Sequence, residues 1–183
     1  MIILNYFTIN LLSSTRAYIN GESFYARSQK NAIRNLLMYT YSEDAQYYRK
    51  FERQIYIPIQ DSIARVMLFK NQNRDSIKQV LLRAGNSPEN INDFLWLGKK
   101  IYHFPYLTRA LKEWRESDVL IGQLHRLGLE IRMQVVDNTL TTEEKLSYGS
   151  RINLISEKLV LREINFANIL NNGIYQINFW VYV

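Results

Sequence analysis

The feature that most restricts the fold of this chain is an apolar repeat of three and four residues that continues over long distances without a proline. From Met1 to about Tyr41 there is no proline and a single glycine, Gly21. Apolar residues recur there at helical spacing. The whole chain of 183 residues contains 3 prolines and 7 glycines. Sheets with many turns need more of both residues, so we expect a few long helices joined by few turns.

Capping residues and breaks divide the rest of the chain into five further helices. Their expected ranges are about 45–70, 75–83, 89–103, 106–136 and 142 to the C-terminus. Pro58 lies inside the second helix and either kinks it or begins a new one. Gly85 is expected to end the third helix in a left-handed conformation. Thr141 and Glu144 form a capping box at the start of the last helix.

The last two predicted helices carry the longest apolar seams. Such a sustained repeat is typical of antiparallel helices packed in a bundle. We therefore predict one all-α domain over residues 1–183, an elongated antiparallel four-helix-type bundle. The shorter helices are expected at its distal end, away from the chain termini. The first and last helices should lie side by side.

Both ends of the chain are apolar, at residues 1–12 (MIILNYFTINLL) and 174–183 (IYQINFWVYV). A transmembrane helix needs about 20 apolar residues, and asparagines or a glutamine interrupt both ends before that length. We interpret residues 1–12 and 174–183 as the membrane-proximal ends of two flanking transmembrane helices. The chain between them is then a domain looped out from a membrane.

Composition and motifs exclude several classes of function. The net charge is +6, but the basic residues are spread along the chain among acidic ones, so no nucleic-acid partner is expected. The chain has no cysteine, which excludes disulfides and thiolate metal sites. His103 and His125 lie on different predicted helices without metal-binding spacing. We therefore predict a non-catalytic segment without cofactor or metal.

Three stretches of the sequence resemble one bacterial family. They are RAYINGE at 16–22 followed by Tyr25, Gln29 and Lys30; IPIQD at 57–61 followed by Ala64 and Arg65; and GNSP at 85–88 through FPY at 104–106, Ala110, Trp114 and Asp118. Together they resemble the extracytoplasmic helical sensor region of some bacterial membrane histidine kinases and diguanylate cyclases. The resemblance covers about residues 12–170.

The resemblance implies a periplasmic domain held at both termini in the bacterial inner membrane and dimerising along its first helix. We therefore expect a sensor input domain that responds to an unknown small ligand or periplasmic protein. It would transmit by relative motion of its first and last helices to a kinase or cyclase module outside this chain. The alternative is a soluble helical protein–protein interaction module without membrane attachment.

Polar residues in the three stretches are the candidates for a binding site. They are Arg16, Glu22, Gln29, Lys30, Asp61, Arg65, Trp114 and Asp118. Asp61 and Arg65 are four residues apart and can pair on one helix face. One hypothesis is that these side chains converge between helices on a small polar ligand. The favoured alternative is that they cap helices and form interhelical salt bridges that fix the register of the bundle.

Overall fold

A computed structural model describes the backbone of residues 2–100 and 105–182. Side chains are described in the same ranges except at positions 2–12, 18, 22, 97, 99, 100, 107 and 174–182. The regular secondary structure of these ranges is helical throughout, which confirms the all-α prediction. The helices are α1 (Ile2–Ser42), α2 (Ala45–Phe69), α3 (Arg74–Arg83), α4 (Pro88–Lys100), α5 (Pro105–Val136) and α6 (Thr142–Tyr182).

Local sequence explains where several helices begin and end. The carboxylate of Asp44 caps α2 by accepting a hydrogen bond from the amide of Gln46 at 2.8 Å. The capping box of α6 is present, since Glu144 accepts the Thr141 amide N–H at 2.8 Å. Gly85 follows α3 with a φ of 82°, the left-handed conformation that glycine adopts without strain. The boundaries predicted from these signals are confirmed.

The helix α2 continues through Pro58, which is buried inside it. Proline costs a helix one backbone hydrogen bond but does not have to end it when packing supports the surrounding turns. In this chain α2 packs against α1, and it also contacts α3, α4 and α5. Pro58 therefore does not begin a new helix.

The four longest helices contact one another in a closed order. α1 packs along α2, α2 contacts α5, α5 packs along α6, and α6 contacts α1. Lys30 on α1 meets Glu163 on α6, whereas Tyr41 lies against Gly149, so α1 and α6 run antiparallel. The prediction that the first and last helices lie side by side is confirmed. The start of α1 and the end of α6 therefore lie at the same end of the molecule.

The short helices α3 and α4 lie near this terminal end, so the prediction that they are distal is wrong. Ser13 on α1 donates a hydrogen bond to Asp93 on α4 at 2.6 Å, and the ring of Phe24 packs against Gly85 between α3 and α4. The reason is the length of α2. Its 25 residues extend about 40 Å, which returns the chain to the first half of α1 before α3 begins.

Two apolar cores lie at different positions along the four longest helices. The distal core, away from the termini, is formed by α1, α2, α5 and α6 and includes Leu36, Phe51, Leu124 and Ile152. The proximal core is formed by α2 to α6 and includes Leu81, Phe94, Trp114 and Phe166. In the distal core the Phe51 ring packs onto the α5 backbone at Gly128, where a methyl group would collide with it.

Candidate functional site

Two candidate residues on α2 form the centre of a buried charge cluster. Asp61 and Arg65 are one turn apart, on the face of α2 that points into the molecule, and they form an ion pair. The second guanidinium nitrogen of Arg65 contacts the carboxylate of Asp118 on α5 at 2.5 Å. Both α2 side chains are almost fully buried, at 7% exposure for Asp61 and 4% for Arg65. We call Asp61, Arg65 and Asp118 the buried charge cluster.

Trp114 on α5 covers one side of this cluster. The guanidinium of Arg65 lies over the indole, 4.3 Å from the ring centre, within the range of a cation–π interaction. Trp114 also packs against two aromatic rings, with Phe166 at 4.8 Å and Phe94 at 6.4 Å between ring centres. Trp114 is therefore the residue through which the proximal core contacts the cluster.

The charges inside the cluster depend on one another. Burial raises the pKa of the Asp61 carboxyl, and the opposite charge of Arg65 offsets only part of that rise. Burial alone would lower the pKa of Arg65, but the charges of Asp61 and Asp118 outweigh it and raise that pKa. Arg65 therefore stays protonated. Two of its guanidinium nitrogens contact the carboxylates of Asp61 and Asp118, and the face of the guanidinium packs on the Trp114 ring.

The three stretches that carry the family resemblance meet at this cluster. The Asn86 side chain, from the stretch after α3, donates to the Leu81 carbonyl at 3.2 Å and lies near enough to the Asp61 carboxyl to lower its pKa. Gly21, from the first stretch, lies directly beside Asn86, since a methyl group on Gly21 would come within 3.0 Å of its side-chain oxygen. The second stretch supplies Asp61 itself. Residues far apart in sequence are thus brought to one point where three segments pack closely.

Gln29 lies next to the cluster, on the α1 side of Trp114. It is buried, and its side-chain oxygen has no hydrogen-bond partner among the described residues. Together with Trp114 and Glu163 it lines a cavity of about 10 Å³, which is room for about one water molecule. This cavity is too small for a metabolite, so Gln29 does not mark a ligand pocket.

The buried charge cluster belongs to a wider band of polar side chains. Lys30 of α1 pairs with Glu163 of α6 at 2.8 Å. Arg162, the charged residue on the apolar seam of α6, pairs with Glu113 at 3.0 Å and Glu116 at 2.6 Å on α5. We call this band the polar layer; it comprises Gln29, Lys30, Asp61, Arg65, Glu113, Glu116, Asp118, Arg162 and Glu163.

The polar layer lies between the two apolar cores. On α2, Asp61 lies between Ile55 of the distal core and Ala64 of the proximal core. On α6, Arg162 lies between Leu159 of the distal core and Phe166 of the proximal core. Buried polar contacts of this kind fix the register between helices, because a shift would leave charges unpaired. The geometry therefore favours the structural interpretation of these residues.

Two of the candidates, Arg16 and Glu22, have no described side chain in the polar layer or beside the buried charge cluster. Arg16 is exposed on α1. The side chain of Glu22 lies outside the described residues, as does the whole of His103. The cluster thus contains Asp61, Arg65 and Asp118, with Trp114 and Gln29 next to it and Lys30 at the exposed margin of the polar layer.

Sequence reasoning missed a second group of polar residues, in a groove between α1 and α2. Arg34 on α1 and Lys50 and Arg53 on α2 face this groove, together with amide side chains. The signal available in the sequence was the spacing of three between Lys50 and Arg53, which places both on one side of a helix. Along the sequence these basic residues alternate with acidic ones, which hides the fact that three of them share one groove.

The chain matches no protein-family model, no curated protein and no solved structure. In the part of the chain that the structure describes, no helix combines the length and hydrophobicity that crossing a bilayer requires. Within the same residues, no group of three histidine, aspartate or glutamate side chains is arranged to hold a metal ion.

Proposed function

We propose that this chain is a sensing input domain of a bacterial transmembrane signalling protein, facing the periplasm and attached to the inner membrane at both ends. It responds to a small ligand or a periplasmic protein. Relative motion of α1 and α6 carries the response to an output module such as a histidine kinase or diguanylate cyclase. The fold in this proposal is a four-helix-type bundle of α1, α2, α5 and α6.

The observation that carries this proposal is the contact between α1 and α6. These helices are antiparallel neighbours, so a displacement between them is available at the end of the molecule where both apolar segments lie. In the polar layer they are joined by Lys30 and Glu163, whose side chains are 55% and 25% exposed. Such a partly exposed ion pair holds two helices together only weakly, and small shifts of packed helices are a common switching movement.

The test is to prevent this movement in the intact protein. Cysteines are placed at Lys30 and Glu163 and joined by a short bifunctional maleimide; the domain has no cysteine of its own. With α1 fixed to α6, we expect the output activity of the intact protein to stay at one level and to lose its response to stimulus. The measurement is that activity in membranes before and after crosslinking.

A matched control uses the ion pair of Glu130 and Arg151 between α5 and α6, at 3.2 Å. Crosslinking this pair fixes two helices whose relative motion carries no signal in the proposal, so the response should survive. If the crosslink between α1 and α6 leaves the response intact as well, motion between these two helices is not the signal.

Localisation has its own test. A cysteine at the exposed position Arg16 should react with a membrane-impermeant maleimide in whole cells, because a periplasmic domain is accessible after the outer membrane is permeabilised. Labelling that needs lysis of the cells contradicts the periplasmic orientation.

Dimerisation along α1 stays a prediction. The exposed face of α1 carries Arg16, Arg27, Lys30 and Arg34, and two copies joined along that face would bring like charges together. We therefore expect such a dimer to strengthen as salt screens the repulsion. Crosslinking of single cysteines placed along residues 5–35, in membranes at low and high salt, is the measurement.

The second candidate function is a helical protein–protein interaction module. The observation that favours it is an exposed apolar surface on α5 and α6. Val119, Leu154 and Leu161 are exposed by 59%, 52% and 54%, and Val119 and Leu161 line a groove of about 470 Å³ between the two helices. The gene on either side of this segment discriminates the two: membrane-spanning runs followed by an output module favour the sensor.

A further inference from the structure

The groove between α1 and α2 near the distal end is the strongest candidate for a ligand site outside the polar layer. It encloses about 510 Å³, a size typical of small-molecule sites. Its lining residues come from one face of each helix, and we call them the basic groove: Asn31, Arg34, Asn35 and Met38 on α1, and Tyr47, Lys50, Arg53 and Gln54 on α2.

The charge of the basic groove is positive and unmatched. Arg34, Lys50 and Arg53 line it, and none of the lining residues is acidic. Among the side chains that the structure describes, these three cations form no ion pair. The ammonium of Lys50 lies 5.3 Å from the centre of the Tyr47 ring. Three cations in one concave surface attract a ligand that carries several negative charges.

The acidic residues closest to the groove in the sequence are engaged elsewhere, and the carboxylate of Asp44 caps α2 by accepting the Gln46 amide N–H. Glu52 lies between the two groove cations of α2 but binds Arg132 of α5 at 3.2 Å. Glu43, in the turn between α1 and α2, pairs with Lys145 of α6. The positive charge of the groove is therefore not neutralised by its own helices.

The remaining lining groups fit an anionic ligand as hydrogen-bond donors. One of the two N–H groups of the Asn35 side-chain amide is already used, since it donates to the backbone carbonyl of Asn31 at 2.7 Å. The side-chain amides of Asn31 and Gln54 and the hydroxyl of Tyr47 remain available in the described structure. The groove extends over about two turns of each helix, or about 10 Å, so a monoanion would occupy only part of it.

We propose that the basic groove binds a small polyanion, a molecule with at least two carboxylate or phosphate groups. Arg34 from α1 and Lys50 and Arg53 from α2 contact these groups from both sides of the groove. Guanidinium groups match carboxylates and phosphates by paired hydrogen bonds. The concave shape and limited volume favour a small molecule over a nucleic acid or a membrane surface.

Binding of this kind also links two helices. The three cations repel one another across the groove when it holds no anion, and a polyanion between them draws α1 and α2 together. When α1 shifts against α2, the position of α1 relative to α6 changes as well. This regulatory role rests on the proposed sensing function, whereas the binding itself does not.

The experiment is isothermal titration calorimetry. The full chain is titrated with citrate and, separately, with inorganic pyrophosphate, at low and high salt, to measure the dissociation constant of each anion. Acetate serves as the monoanion. We expect saturable binding of citrate or pyrophosphate to one site, little binding of acetate, and weaker binding at high salt. Comparison of citrate with pyrophosphate distinguishes a polycarboxylate site from a phosphate site.

Variants locate the site on the protein. Arg34→Gln and Arg53→Gln, on opposite sides of the groove, should each weaken binding by about tenfold, since each removes one charge-assisted contact. The matched control is Arg126→Gln, an equal loss of charge in the groove between α5 and α6. Because Arg126 is remote from the site, the Arg126→Gln protein should bind the same anion with the affinity of the unchanged protein.

Three outcomes would overturn the proposal. The first is the absence of saturable binding of both polyanions at millimolar concentration and low salt. In the second, the Arg126→Gln control loses as much affinity as the groove variants, which indicates general charge attraction. In the third, a single-stranded oligonucleotide binds more tightly than either polyanion through the same residues. The two proposals fail separately. If the polyanion binds in the groove but the α1–α6 crosslink does not change the output activity, the sensing function is contradicted and the binding site is not.

Discussion

The same helix, α2, carries cations in two opposite situations. Arg65 is buried, contacts two carboxylates and lies over Trp114. Lys50 and Arg53, a few turns earlier, are exposed and have no acidic partner in the described structure. The difference teaches where binding is to be sought. A cation that already pairs with carboxylates stabilises the contact between helices, whereas unpaired cations in a concave surface can bind a ligand.

The largest expected effect is on the buried side of this comparison. Arg65→Ala leaves the carboxylates of Asp61 and Asp118 without their cation, which should lower the free energy of unfolding by about 3–5 kcal/mol. Urea unfolding followed by circular dichroism is the measurement. Arg53→Ala, on the same helix, should change it by less than about 0.5 kcal/mol. Equal losses in the two variants would remove the distinction between the two cations.

The pH dependence of stability tests the same cluster through Asp61. Its pKa is raised by burial above the ordinary value of 3.8, so the folded state holds this proton more tightly than the unfolded state. The stabilising contribution of the proton is fully present below the unfolded pKa and is lost as pH rises through the folded pKa.

The free energy of unfolding of the unchanged protein minus that of Asp61→Asn should therefore fall as pH rises. Urea unfolding of both proteins at several pH values from about 3.5 upwards is the measurement. A difference that stays constant, or grows with pH, contradicts the raised pKa.

The ion pair of Lys30 and Glu163 should give an intermediate effect, because it is partly exposed. A double-mutant cycle with Lys30→Gln and Glu163→Gln is expected to give a coupling of about 0.2–1 kcal/mol, decreasing with salt. The pair of Arg151 and Glu130, which is more exposed on average, serves as a comparison. A coupling free energy as large as the stability lost in Arg65→Ala would mean that the pair of Lys30 and Glu163 stabilises the fold as strongly as the buried charge cluster does.

The smallest effect is expected in the basic groove and has the opposite sign. Arg53→Gln relieves repulsion from Arg34 and Lys50, so stability should rise by about 0.3 kcal/mol at low salt and the gain should vanish at high salt. Thermal unfolding at two salt concentrations measures it. A loss of stability at low salt would mean that Arg53 has an acidic partner in solution.

The predictions from sequence succeeded where the determining signals are local. Asp44, Gly85 and the pair of Thr141 and Glu144 set helix ends through neighbours within a few residues, so the helix boundaries were predictable. The position of α3 and α4 was not, because it depends on whether α2 continues through Pro58. That continuity is decided by packing against α1, which no short stretch of sequence reveals.

The same division applies to the site. The pairing of Asp61 with Arg65 follows from a spacing of four on one helix. Its third member, Asp118, lies 53 residues from Arg65 and joins it only through the packing of α2 on α5. The cations of the basic groove are individually exposed, and each alone is typical of solvated surface. Only the register between α1 and α2 brings them to one groove.

The polar layer has a consequence for the order of folding. α1 with α2, and α5 with α6, are neighbours in sequence and can form two hairpins early, since short loops close at low entropic cost. The contact of Lys30 with Glu163 joins residues 133 apart. During synthesis the first hairpin is complete before α5 and α6 exist, so Asp61 and Arg65 are present before Asp118. Asp61 and Arg65 therefore hold each other until Asp118 arrives, which gives an unfinished chain a partner for its most costly charge.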